Sequence, residues 1–218
     1  MKHITLTICT AALLLGACNS DTKNASATDS TATAANETSV KEKEWVPIDS
    51  ATMMKAMMEY GTVGEPQKML AKSNGVWNAK VVMWMADGAP GDTSMATSTN
   101  KMILGDHYQV STFKGNMMGM PFEGESTTAY DNAKKVFMST WIDNWSSGIM
   151  TMEGPWDEAT KTITMTGKMV SPVDGRVCQM KQVVKMIDDN TQVMEMYGPD
   201  SQTGKQYKSM EITFTRKK

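Results

Sequence analysis

From Gly75 to Arg216 the chain is cut into evenly spaced runs by turn-forming clusters: Asp87-Gly88-Ala89-Pro90-Gly91-Asp92, Leu104-Gly105-Asp106, Lys114-Gly115-Asn116, Asp131-Asn132, Asp143-Asn144, Asp157-Glu158, Pro172-Val173-Asp174-Gly175, Asp188-Asp189-Asn190 and Pro199-Asp200-Ser201. The runs between them fall near 76–86, 93–104, 107–114, 122–131, 134–142, 148–156, 161–169, 177–187, 191–198 and 206–216, and each reads as a strand. Parallel neighbours need crossovers of about a dozen residues or more. The connections here are too short for that and carry no helical pattern, so the strands must form an antiparallel meander. An open sheet of this many strands curls shut, which removes its edges. The expected fold is all-β: a single closed, up-and-down antiparallel β-barrel of about ten strands.

Alternation within the runs assigns their faces. In 161–169, Thr162, Thr164, Thr166 and Lys168 are polar while Ile163, Met165 and Met169 are apolar, so the odd positions point inward. The same test puts inside Trp77, Val81, Met83 and Met85; Met150 and Met152; Cys178, Met180, Val184 and Met186; Met194 and Met196; and Met210, Ile212 and Phe214, with Arg216 at the mouth. Runs 93–104 and 134–142 are ambiguous. The expected interior therefore carries methionines 83, 85, 150, 152, 165, 180, 186, 194, 196 and 210.

The segment ahead of the barrel has three parts. Lys2, the apolar stretch Ile4 to Leu15 and the small Gly16-Ala17 before Cys18 read as a lipoprotein signal peptide over 1–17, with Leu15-Gly16-Ala17-Cys18 as its lipobox. The apolar stretch is too short to span a bilayer as a helix. Cys18 then becomes the first mature residue and carries the lipid. This would anchor the protein in a bacterial cell envelope, at the outer membrane, on its periplasmic or surface side. A plain secretory signal with a cysteine beside its cleavage site is the alternative.

Residues 18–44 are rich in Ser, Thr, Ala, Asn and Asp and lack aromatics, so they read as a disordered tether with a span of roughly 25–30 Å. The barrel domain is placed at 45–218. At its start, residues 49–60 carry a capping candidate, Ser50, and apolar residues at 53, 54, 57 and 58. That is the spacing of a short N-terminal helix. Gly61 and Gly64-Glu65-Pro66 stop it, and it is expected to close an end of the fold.

Composition narrows the functional classes. The chain has 22 basic and 24 acidic side chains, and loss of the signal peptide removes only Lys2. Arg176 and Arg216 are the only arginines, and the lysines are dispersed, so no nucleic-acid footprint exists. Cys9 lies in the signal peptide and Cys18 is committed to lipid, which leaves Cys178 without a partner. The 23 methionines contrast with two leucines beyond the signal peptide, Leu70 and Leu104. Met is standing where Leu would normally pack.

No motif names a reaction. His107 is the one histidine of the mature chain, and Gly124-Glu125-Ser126 does not complete a nucleophile elbow. Gly198-Pro199-Asp200-Ser201-Gln202-Thr203-Gly204-Lys205 has one residue too many for a phosphate loop and joins two strands. No cofactor is implied.

The middle of the chain carries Gly119-Met120-Pro121-Phe122-Glu123-Gly124, then Tyr130-Asp131 and Trp141-Ile142-Asp143; further on come Glu153-Gly154, Glu195-Met196-Tyr197 and Met210-Glu211-Ile212-Thr213-Phe214-Thr215-Arg216-Lys217. In this order and spacing they resemble the signature of domain-of-unknown-function family 1579, over roughly residues 50–217. The resemblance implies a calycin-like barrel, the architecture of lipocalins and fatty-acid-binding proteins. It brings no established activity.

Three functional readings follow. The first is a non-catalytic binder of a small apolar or amphipathic ligand, since an apolar barrel of this size can hold one and Met repacks around varied shapes. Its candidate contacts are Met83, Met85, Phe122, Tyr130, Trp141, Met152, Met180, Met196 and Arg216, the last able to meet a carboxylate as a fork. Against it stands a lumen filled by its own side chains. The second is a Met-rich envelope protein that binds Cu(I) or scavenges oxidant, through pairs such as Met83/Met85, Met150/Met152 and Met194/Met196. The third is a hydrolase or isomerase using the carboxylates of Glu123, Asp131 or Asp143. Partners expected on these readings are a membrane, through Cys18, and a small hydrophobic ligand.

Overall fold

The computed structural model describes residues 44–218, so the signal peptide, the lipid site at Cys18 and all of the tether but Glu44 lie outside the described residues. Two helices, α1 (Ser50–Tyr60) and α2 (Glu65–Ala71), precede eleven strands. These are β1 (Gly75–Met83), β2 (Asp92–Ile103), β3 (Tyr108–Met117), β4 (Met120–Asp131), β5 (Val136–Asp143), β6 (Met150–Gly154), β7 (Trp156–Asp157), β8 (Thr162–Val170), β9 (Val177–Asp188), β10 (Thr191–Pro199) and β11 (Gln206–Arg216). Every strand pair is antiparallel, and β1 pairs with β11 from Trp77↔Arg216 to Met83↔Met210, so the meander meets its own start.

The expected strand 148–156 is split. Pro155 offers no N–H to a ladder, and it separates β6 from the two-residue β7; both lie beside β8. The pair occupies one position, which makes a ten-position barrel. The β6–β8 joint is narrow, with two paired positions, Met152↔Gly167 and Glu153↔Thr166, continued by two more between β7 and β8. Glycines permit the approach. A Cβ on Gly154 would lie 1.9 Å from the Thr164 carbonyl oxygen, and one on Gly167 would lie 2.2 Å from that of Thr151.

One expected turn moves. Lys114-Gly115-Asn116 lies inside β3, where Gly115 faces Ala96 so closely that a Cβ would come within 2.6 Å of it. The hairpin turns at Met118-Gly119, both with positive φ, 51° and 78°. Two central residues of that kind match the right-handed twist of the strands they join.

The helices exchange the role expected of one. α1 is capped by Asp49, whose carboxylate accepts from the Ala51 and Thr52 amides, rather than by Ser50. None of its residues is buried, and Met53, Met54, Met57 and Met58 all face solvent. The helix that closes an end is α2. Its start, Gly64-Glu65-Pro66, reads as a stop but places Pro in the first turn, where a missing N–H costs nothing.

Leu70 enters the core with Phe137, Met152, Ile163, Met165 and Met196. Gln109 donates to the Leu70 carbonyl at 2.6 Å, and the fully buried Trp77 donates its indole N–H to the Ser73 carbonyl at 2.8 Å. Arg216 lies over the Trp77 ring, 4.2 Å from its centroid. It gives its two terminal nitrogens to the carbonyls of Lys72 and Asn74, each at 2.6 Å, and Nε to that of Asp189 at 3.1 Å. Carbonyls left over at the helix end thus meet a cation.

Among the described residues, α1 is fastened by side-chain hydrogen bonds at its C-terminal end. Asn132 donates to the carbonyls of Tyr60 and Thr62, each at 2.8 Å. His107 places Nε2 2.7 Å from the Gly61 carbonyl and Nδ1 2.8 Å from that of Leu104. Both partners only accept, so both contacts require imidazolium. The Gly61 carbonyl, then that of Leu104, raises the His107 pKa above its ordinary 6.5, with a smaller contribution from Asp106.

Two outcomes are expected. Gly154→Ala or Gly167→Ala should destabilise the barrel by about 1–3 kcal/mol, the usual cost of overpacking. Gly148→Ala, at a position with open space around it, should change little; denaturant midpoints measure the contrast. The His107 imidazole proton resonances should titrate above the ordinary histidine value. Because the folded pKa is raised, the stabilisation is complete below the unfolded value and is lost as pH rises through the folded one. Amide exchange of residues 59–62 should quicken over that window and become pH-independent in His107→Gln after correction for intrinsic exchange.

A lumen with two unlike walls

The register sorts the inward faces. On β2 to β5 the residues sharing the face of buried Trp77 and Phe113 include Ser98, Asn100, Ser111, Ser126, Thr128, Tyr130, Ser139 and Trp141. On β6 and β8 to β11 the same face carries Met150, Met152, Ile163, Met165, Met180, Val184, Met186, Met194, Met196, Met210 and Ile212. One wall is therefore hydroxyl-rich and the other is thioether-rich.

The hydroxyl wall is open to solvent. Ser111, Ser126, Thr128, Ser139 and Tyr130 are only partly buried. Among the described residues no buried side-chain N or O atom lacks a hydrogen bond, and these five hydroxyls have no protein partner. Unpaired hydroxyls inside a closed barrel must reach water. These hydroxyls therefore keep contact with water.

Aromatic rings gather at the end opposite α2. Phe122 stacks near-parallel with Trp141 at a centroid distance of 6.3 Å and meets Trp145 edge-on at 4.9 Å. Gly124 makes room, since a Cβ there would lie 2.3 Å from the Trp141 ring. Asp143 fixes the cluster by accepting the Trp141 indole N–H at 2.8 Å and the amides of Trp145 and Ser146. At the same end, Asp200 ties two loops together. It accepts from the amides of Asp87, Thr203 and Gln202, which hold its carboxyl below the usual carboxylate range.

Of the candidate ligand contacts, Met83, Phe122, Tyr130, Trp141, Met152, Met180 and Met196 share this interior. Two do not. Met85 lies beyond the end of β1 and is 66% exposed, because the strand stops at Met83 and pairing parity no longer aims it inward. Arg216 stands at the end closed by α2 rather than at an open mouth, and its guanidinium is occupied by three backbone carbonyls. Met169, also expected inside, is 38% exposed near the end of β8.

The candidate acid–base carboxylates do not converge. Glu123 is exposed and pairs with Lys114, and Asp131 caps the turn after β4 through the amides of Ala133 and Lys134. Eight strand residues, or about 27 Å, separate those two. Among the described residues no three His, Cys, Asp or Glu side chains gather as a metal site. A concavity of about 690 Å³ lies mainly on the outer face of β3 to β6 and β8, beneath the end of α1, with Tyr60, Tyr108, Thr127, Met138 and Thr166 among its walls; Tyr130, Ser139 and Met152 border it as well.

The sequence reading missed the hydroxyl wall. Polar residues on both faces of β2 and β5 erase the alternation that reveals an interior. The detectable signal was the series Ser98, Ser111, Ser126 and Ser139, which only strand register brings together.

Comparison with known proteins is consistent with this architecture. No curated protein matches the chain. The crystal structure of Rv2717c from M. tuberculosis matches 72% of this chain and 100% of its own, at 9% identity and a TM-score of 0.53. The S-type phycobiliprotein lyase CPES from Guillardia theta matches over 74% and 97%, at 8% identity and a TM-score of 0.49. The model of the protein-of-unknown-function family DUF1579 matches residues 62–216, and the chain belongs to that family.

Proposed function

We propose that the barrel is a non-catalytic binder of a small, largely apolar molecule with one hydrogen-bonding edge. On this reading the protein works at a bacterial envelope membrane, anchored through a lipid on Cys18. The observation that carries the binding role is the pair of unlike walls: solvent-reaching hydroxyls of Ser111, Ser126, Thr128 and Ser139 face a bank of thioethers. Methionine wraps varied apolar shapes at low cost, and the hydroxyls give one side of the guest its hydrogen bonds. The aromatic cluster of Phe122, Trp141 and Trp145 supplies an amphipathic entrance. Among the described residues no helix is long and apolar enough to cross a membrane, so the anchor in this reading is the lipid.

The neutral fluorophore N-phenyl-1-naphthylamine should bind saturably, one per chain. Ser111→Leu/Ser126→Leu, which fills the lumen, should weaken binding at least tenfold, or about 1.4 kcal/mol. Met138→Lys in the outer groove should not. The opposite pattern would transfer the site to the outer groove and overturn the lumen reading. For the anchor, Cys18→Ser should abolish labelling by a palmitate analogue and move the chain from the membrane fraction to the soluble one. Labelling that persists in Cys18→Ser would sink the assignment.

A further inference from the structure

Four methionines on the neighbouring strands β1, β11, β10 and β9 lie toward the same end of the lumen, away from α2. Met83 on β1 is the cross-strand partner of Met210 on β11, and Met210 is the partner of Met196 on β10. All three share the lumen face with buried Val81 and Ile212. Adjacent strands lie about 4.8 Å apart, and the unbranched Met side chain has enough freedom for three such sulfurs to point at one centre.

The fourth donor is Met180 on β9. Its sulfur sits where a Cβ on Gly198 would be only 3.1 Å away, and Gly198 follows Met196 by two residues on the same strand. Glycine at 198 thus opens the space that this thioether occupies. Any larger residue there would push it out.

These four differ from methionines that only fill space. Met152 and Met165 are 4% and 3% exposed, locked in the cluster with Phe137 and Ile163. Met83, Met180 and Met210 remain partly exposed toward the open end. An ion can reach them. Asp92, the β2 partner of Met83, adds an exposed carboxylate at that rim, which favours entry of a cation. No imidazole belongs to the row, and thioethers alone are poor ligands for Zn²⁺, Mg²⁺ or Ca²⁺ but good ones for Cu(I).

We propose that Met83, Met196 and Met210, joined by Met180, form a binding site for a single Cu(I) ion at the open end of the barrel. The site needs neither the hydroxyl wall nor the apolar ligand, so it stands or falls separately from the binding role above.

The test uses the full chain with Cys9→Ser, Cys18→Ser and Cys178→Ser, so that no thiol contributes. Cu(I), kept reduced by ascorbate, is offered in competition with bathocuproine disulfonate. The chain should withdraw one equivalent. Met83→Leu/Met196→Leu/Met210→Leu, which conserves volume, should weaken retention at least tenfold, while Met53→Leu/Met57→Leu on α1 should not. Circular dichroism and an unchanged cooperative denaturant transition establish that the triple variant is folded. Ag(I), a redox-silent substitute, should shift the methyl resonances of Met83, Met180, Met196 and Met210 together and leave that of Met165 in place. Failure to withdraw Cu(I), equal retention by the triple variant, or Ag(I) shifts spread over the methionines at large would overturn the proposal.

Discussion

The structure depends on a close backbone approach that only glycine allows. β6 and β8 share two paired positions, and they come together because Gly154 and Gly167 present no side chain to the carbonyls of Thr164 and Thr151. A joint this narrow contributes few hydrogen bonds of its own. Its importance is topological: with β1 already paired to β11, it turns a curved sheet into a ring. Once the ring closes, no long edge remains to template aggregation, and every strand acquires an inside and an outside. All that follows about walls, ends and entrances depends on that distinction.

The two ends are finished by different chemistry. At one, a short helix is driven in as a plug by Leu70 and sealed by a polar stack in which Arg216 covers Trp77 and collects backbone carbonyls from α2 and from the β9–β10 turn. The charged guanidinium thus ties three backbone segments together at this end: its own strand, the chain after α2 and the β9–β10 turn. The other end has loops pinned by Asp143 and Asp200 around aromatic rings, and among the described residues no helix is packed into it. The asymmetry distinguishes an end plugged by a helix from an end closed over only by loops and rings.

How far the chain could be read in advance follows from how local each signal was. Strand positions, and the inward direction of Met152, Met165, Met196 and Ile212, come from alternation and turn residues only a few positions apart. The true fate of Arg216 was invisible, because its partners Lys72 and Asn74 lie more than a hundred residues away in the chain and are backbone atoms. α2 was hidden by ambiguity: a Gly and a Pro ahead of an apolar pair end one helix and begin another with the same letters. The serine wall was hidden for the opposite reason. Polar residues on an inner face look like an outer face until register shows Ser111, Ser126 and Trp141 side by side.

The distribution of charge within the barrel narrows what the lumen can accept. Midway along the inner faces the polar groups are Ser98, Asn100, Gln109, Ser111, Ser126, Thr128, Ser139, Gln182 and Gln192, all uncharged. The ionic groups on those faces stand at the ends: Arg216, already engaged, and Asp188 at the closed one, Asp92 and Asp143 at the open one. Moving a formal charge from water into such a middle zone without a counter-charge costs far more than the neighbouring hydroxyls return. A guest of the proposed kind must therefore be neutral along its buried length and keep any charged group at the aromatic rim. A soft monovalent cation held by thioethers near that same rim meets the constraint as well, since it gives up its water for direct ligands and stays within reach of the Asp92 carboxylate.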